Sequence, residues 1–173
     1  MTAEKEDKMS ACMAAARLAP EHELLKAFEG TWKSEVKMWM DPSADPMVST
    51  GVMKNSLILG GRFIEHDYAN DDGTFFGKGH WGYNTVDERW EGTWLDSMGT
   101  GMMIDRGRYD PASETWTMTG EMTDPASGQV MKKRSLLIRH DDDHHTMEMY
   151  FTATAGEHAG VETKIMEICY TRA

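Results

Sequence analysis

From Gly30 onward, apolar and polar residues alternate with a period of two. Trp32, Ser34, Val36 and Met38 fall on one side of an extended segment, and Lys33, Glu35 and Lys37 on the other. That is the pattern of a strand with one face in a core and one in water. The alternation returns in short runs separated by turn chemistry: Asp-Pro at 41, 110 and 124, Gly60-Gly61, Asn70-Asp71-Asp72-Gly73, Asn84 to Asp87, Gly99-Thr100-Gly101, Asp141 to Asp143, and Gly156 to Gly160. Nine turns predict ten strands, at about 31–40, 47–59, 62–69, 75–83, 89–96, 102–109, 114–123, 129–140, 143–154 and 161–172. None is separated from the next by a helix-sized crossover, so parallel βαβ units are excluded. The expected fold is all-β, an antiparallel up-and-down β-barrel of about ten strands.

One stretch breaks the period. Ser10 to Phe28 carries alanines at 14 to 16, Pro20 at a first helical position, and Leu24, Leu25 and Phe28 on one helical face. It predicts a short helix across one barrel mouth, ended by Gly30 in positive φ. Residues 1–19 are expected to form an N-terminal segment, partly helical or flexible. Residues 20–173 are expected to form a single barrel domain, since 173 residues bury one core and no linker interrupts them.

Composition changes the picture in two ways. With 16 Met, 6 Trp and 16 Gly, large flexible or planar side chains must fill much of the interior, and such cores leave irregular gaps. The net charge of −11 argues against nucleic acid and anionic membrane as partners. The one dense basic run, Lys132-Lys133-Arg134, lies in a strand whose residues alternate between faces. Cys12 and Cys169 make no metal or redox spacing, and the first residues lead into no apolar run long enough for a signal peptide or a span. A soluble, cytoplasmic protein with reduced thiols is expected.

The candidate chemistry lies where strands face inward. Trp32 in the first strand and Arg172 in the last are expected to close one end, guanidinium over indole, and Tyr170, on the same face by alternation, is a ligand-binding candidate through a hydroxyl pointed into the lumen. Ten strands enclose more room than their side chains need, so a lumen holding a small hydrophobic or amphipathic molecule is the expected functional element. Arg62, Glu65, Asp96 and Arg134 are candidates for its polar centre, either as a structural ion-pair network or as a site for a ligand carboxylate or carbonyl. Trp94 is the candidate for apolar contact. Two alternatives stand beside this. One is an enzyme with Asp96 or Glu65 as base and Arg62 as electrostatic stabiliser. The other is a solidly packed barrel acting as an interaction module or homodimer.

Other features weigh less. Carboxylates such as Asp67 and Asp105 add general acid or base candidates, and methionines at 38, 53, 103, 118, 122, 147, 149 and 166 suit either core filling or an adaptable pocket. His140 to His145 straddles a hairpin turn with three aspartates but meets no established ligand spacing, so a solvated acidic turn is expected and no metal. Gly-x-Ser-x-Gly, His-Glu-x-x-His and Cys-x-x-Cys are absent from the sequence.

Pro20-Glu21-His22, Gly30-Thr31-Trp32, Leu59-Gly60-Gly61-Arg62-Phe63, Gly82-Tyr83-Asn84, Thr93-Trp94-Leu95-Asp96-Ser97 and Met166 to Arg172 form an ordered set. It resembles the bacterial domain-of-unknown-function family numbered 1579, from about Pro20 to Arg172. That family looks like a distant member of the lipocalin-like (calycin) barrels, in which a Gly-x-Trp first strand and a last-strand Arg close one end. The resemblance implies a fold and no activity. Some distant calycin-like proteins hold haem, for which His66, His80 or His158 would be the axial candidates. A lone strand histidine is more often packed or exposed, and no cofactor is expected.

Overall fold

In the computed structural model, which describes residues 3–156 and 158–173, the period-two runs form ten strands. They are β1 (Gly30–Met38), β2 (Met47–Ile58), β3 (Phe63–Asn70), β4 (Phe76–Asn84), β5 (Arg89–Asp96), β6 (Met103–Asp110), β7 (Thr115–Thr123), β8 (Val130–Arg139), β9 (His144–Ala153) and β10 (Glu162–Arg172). Each pairs antiparallel with its sequence neighbour, and β1 pairs with β10, so the meander closes into a barrel. Every strand boundary lies within two residues of the one expected from the alternation and turns.

A short helix crosses one barrel mouth as expected, but the stretch Ser10 to Phe28 is not one helix. The segment is two elements, α1 (Ala3–Ala15) and a separate 3-10 helix over Pro20–Phe28. Pro20 explains the division: its ring disfavours helical geometry in the residue before it, and Ala19 is extended, with φ −98° and ψ 165°. α1 lies on the outside, its carbonyl end held where Thr85 Oγ1 donates to Ala15 O at 2.9 Å. The 3-10 helix covers one mouth, which we call the plugged end, and buries Leu25 and Phe28.

Beneath the plug the core is aromatic. Ile64, Trp81, Trp90, Trp116 and Met118 pack with Leu25 and Phe28, with rings meeting mostly edge to face. On the opposite wall, Trp32 Nε1 donates to Phe28 O at 2.9 Å while the Arg172 guanidinium lies 4.1 Å over the indole. Arg172 also donates to Ala27 O, Glu29 O and Asp142 O at 2.8–2.9 Å. One side chain therefore ties the last strand to the plug and to the β8–β9 turn. Gly30, at φ +119°, turns the chain from plug into β1, and a Cβ there would stand 3.0 Å from Arg172 Nη1.

Candidate functional site: the barrel lumen

Residues paired across an antiparallel ladder share a face, so the register sorts inside from outside. Asn55 faces His66, which faces Gly79, which faces Trp94, which faces Met103, all inward. The eight methionines named from the sequence also fall on inward positions. At the plugged end the inward side chains are sealed: Trp32, Trp90 and Trp116 are each 1% exposed. At the other end, the distal mouth, inward Trp94, Asp96, Met103, Met149, Phe151 and Met166 all keep part of their surface accessible.

Trp94 lies flat against the wall. A Cβ on Gly77 or Gly79 would come within 2.3 Å or 3.0 Å of its indole, so β4 offers bare backbone for the ring to rest on. Its Nε1 donates to Asp96 Oδ2 at 3.0 Å, and Asp96 Oδ1 accepts from the Met98 N–H at 2.9 Å. Asp96 thus holds the indole against the wall and shapes the following turn.

Between plug and mouth the lumen carries a polar belt. Asn55 Nδ2 donates to Phe28 O at 2.9 Å and its Oδ1 meets His66 Nδ1 at 2.7 Å. Ser34 Oγ donates to Tyr68 Oη at 3.3 Å. His145 stacks on Tyr170, ring centres 4.5 Å apart, and meets Trp32 edge-on at 4.3 Å. Desolvation, reinforced by the charge of His80, pushes His66 down to about 4. Desolvation, with His66, Arg172 and His140 nearby, pushes His145 down to about 3. Both imidazoles are therefore neutral at physiological pH. Burial also drives the Tyr170 hydroxyl upward, so it stays protonated. Nearer the mouth, Lys133, 5% exposed, donates to Asp105 Oδ2 at 2.6 Å, while Asp105 Oδ1 is buried without a partner.

The residues expected to form the polar centre do not assemble. Arg62 precedes β3 in the turn, at the plugged end, and donates to Leu59 O at 3.2 Å and Ala16 O at 2.6 Å, tethering the carbonyl end of α1. Glu65 alternates with inward Ile64 and His66 and so points outward, 3.6 Å from His80. Arg134 lies between inward Lys133 and Ser135 and also points outward, paired with Glu162 through two 2.7 Å hydrogen bonds and lying 4.2 Å over Tyr150. Arg62 and Asp96 sit at opposite ends and make no pair, so the suggested base and stabiliser do not meet. Of the six ligand-binding candidates, Trp94, Asp96 and Tyr170 face the lumen.

Sequence reasoning did not single out Ser34, Asn55, Tyr68, Lys133 or His145 as lumen residues. The signal available was parity: in Phe63 to Asn70, the set Ile64-His66-Tyr68 is more apolar than Phe63-Glu65-Asp67. The histidines of the 140–145 turn diverge, with His140 bonded to Thr146, His144 to Asp141, and His145 turned inward. His80 is outside and His158 lies exposed in a loop. Among the described residues, no three His, Cys, Asp or Glu side chains converge as metal ligands.

The outer wall carries an open groove of about 730 Å³ lined by Ile104, Arg106, Thr119, Glu121, Lys132 and Arg134. Its charges are of both signs, and it follows the curvature of β6–β8 outside the lumen.

Among the described residues, no helix is long and apolar enough to cross a membrane. No curated protein matches the chain. The profile of a family described as "Protein of unknown function (DUF1579)" matches residues 17–172, the whole barrel with its plug, and the chain belongs to that family.

Proposed function

We propose that this protein binds a small, at least partly apolar molecule in its lumen, admitted through the distal mouth. The observation that carries the reading is the contrast between the two ends: aromatic side chains are sealed under the plug, whereas Trp94, Phe151 and the distal methionines keep accessible surface while facing inward. A solidly filled barrel would bury both ends alike. Flexible thioethers beside a fixed indole suit an apolar body of variable shape. The lipocalin-like character expected from the sequence accords with sequestration or sensing in place of turnover, and the free thiols of Cys12 and Cys169 suit a cytoplasmic setting. A native mass spectrum of freshly purified protein, set beside a denatured one, tests the reading. A stoichiometric non-covalent mass supports it. A bare polypeptide mass, together with no uptake of an apolar fluorescent probe, overturns it.

A further inference from the structure

Among the described residues, His66 Nε2 in the belt between plug and mouth is a reachable atom with no hydrogen-bond partner, as are Tyr170 Oη and His145 Nε2, whose residues are more deeply buried. Phe28 O accepts from Trp32 Nε1 and from Asn55 Nδ2, each at 2.9 Å, and a carbonyl cannot donate. That fixes the Asn55 amide with its nitrogen toward Phe28 and its oxygen toward His66. The 2.7 Å contact between Asn55 Oδ1 and His66 Nδ1 then requires the proton on Nδ1. In the neutral ring the other nitrogen, Nε2, carries a lone pair and accepts.

Among the described residues no hydrogen bond reaches Nε2, and it is not one of the fully enclosed unpartnered atoms. His66 keeps partial exposure although protein surrounds it closely enough to hold it neutral. Exposure at such depth comes from the lumen. Among the described residues the belt holds no free cation to attract an anion, because Lys133, nearer the mouth, is paired with Asp105.

We infer that the lumenal ligand is a neutral molecule bearing an O–H or N–H group that donates a hydrogen bond to His66 Nε2, its apolar body extending toward Trp94 and the distal mouth. The inference rests on the lumen-binding reading and narrows it to alcohols, phenols, amides and N–H heterocycles. An ionised carboxylate is disfavoured, since it has no proton to give and meets a lone pair in a desolvated site. Asn55 is a positioning residue: it presents the acceptor and joins it to the plug through Phe28 O.

The test uses a matched pair of probes, naphthol and its methyl ether, which share an apolar body and differ in one donor. Binding to the full chain is followed by quenching of tryptophan fluorescence. Naphthol is expected to bind on the order of tenfold tighter than the ether, the ratio one hydrogen bond in a desolvated site supplies. In His66→Phe the ratio should fall to about one, with the affinity for the ether retained. A second readout needs no variant: the nitrogen-15 resonance of His66 Nε2 should shift on adding naphthol and stay in place on adding the ether. Equal affinity for both probes in the unmodified protein overturns this inference and leaves lumen binding standing. No quenching by either probe overturns both.

Discussion

Lowering the pH should weaken this fold well before its carboxylates titrate. His66 and His145 are held neutral, with values near 4 and 3, where the ordinary imidazole value is 6.5. His66 faces Asn55, with His80 across the wall. His145 faces Trp32, Phe28 and Tyr170, with Arg172 and His140 adding positive charge. Between the folded and unfolded values the unfolded chain binds more protons, so stability is fully present above about 6.5 and falls as pH falls toward 4. From about pH 7.5 to about pH 5 each ring costs about 2 kcal/mol, or about 4 kcal/mol for the pair. That is a large part of the 5–15 kcal/mol, roughly, that a domain possesses. Asp41, Asp72, Asp110, Asp124, Asp141, Glu148, Glu162 and Glu167 are held below their ordinary range, by local hydrogen bonds foremost, so their contributions are lost only at lower pH. The measurement is the urea midpoint by tryptophan fluorescence across this range at constant ionic strength. His145→Phe keeps the ring contacts and removes one titration, so it should roughly halve the slope. A midpoint independent of pH, or a slope unchanged in His145→Phe, would refute the reasoning.

The remaining predictions concern the lumen wall and the closure. Lys133→Met leaves the inward Asp105 without its partner and should cost about 3–5 kcal/mol in urea unfolding. Adding Asp105→Leu should restore most of that, and an equally unstable double variant would show that the pair itself is needed. Arg172→Lys forfeits the forked contacts with Ala27 O, Glu29 O and Asp142 O and should destabilise by about 2–3 kcal/mol. Gly77→Val drives the Trp94 indole off the wall, so near-ultraviolet circular dichroism should change and the methyl ether of naphthol should bind more weakly. Arg134→Ala acts on the outer face and should alter stability by no more than about 1 kcal/mol, with probe affinity unchanged.

The strands were legible because each is bounded by residues whose turn chemistry is local: Asp-Pro, Gly-Gly and Asn-Asp-Asp-Gly act through their own φ and their own side chains. The Trp32–Arg172 contact was legible because it joins the two termini of one meander. The lumen was harder to read because a polar residue in a strand carries no mark of its side. In β3 the choice between the two faces decides between Glu65 and His66, and only the register with β2 places His66 inward. Arg62 looked like a strand residue, but the turn extends through it, and its partner is the end of α1, 46 residues away. Lys133 faces inward against the usual preference because Asp105, from β6, waits there, and such a pairing is visible only once β6, β7 and β8 are in register.

Three consecutive carbonyls where the plug ends, Ala27, Phe28 and Glu29, are captured by side chains from β10, β1 and β2. The contact of Arg172 with Glu29 spans 143 residues of chain, so it cannot form until nearly all the meander is in place. Loop closure on that scale makes the seam between first and last strands a late event in folding. The plug then behaves as a latch set after the barrel wall is built. Weakening Arg172 should mainly speed unfolding and leave the rate of folding little changed. A latch made last is also the first to yield under strain, so the seam beside the plug is where this barrel is expected to open.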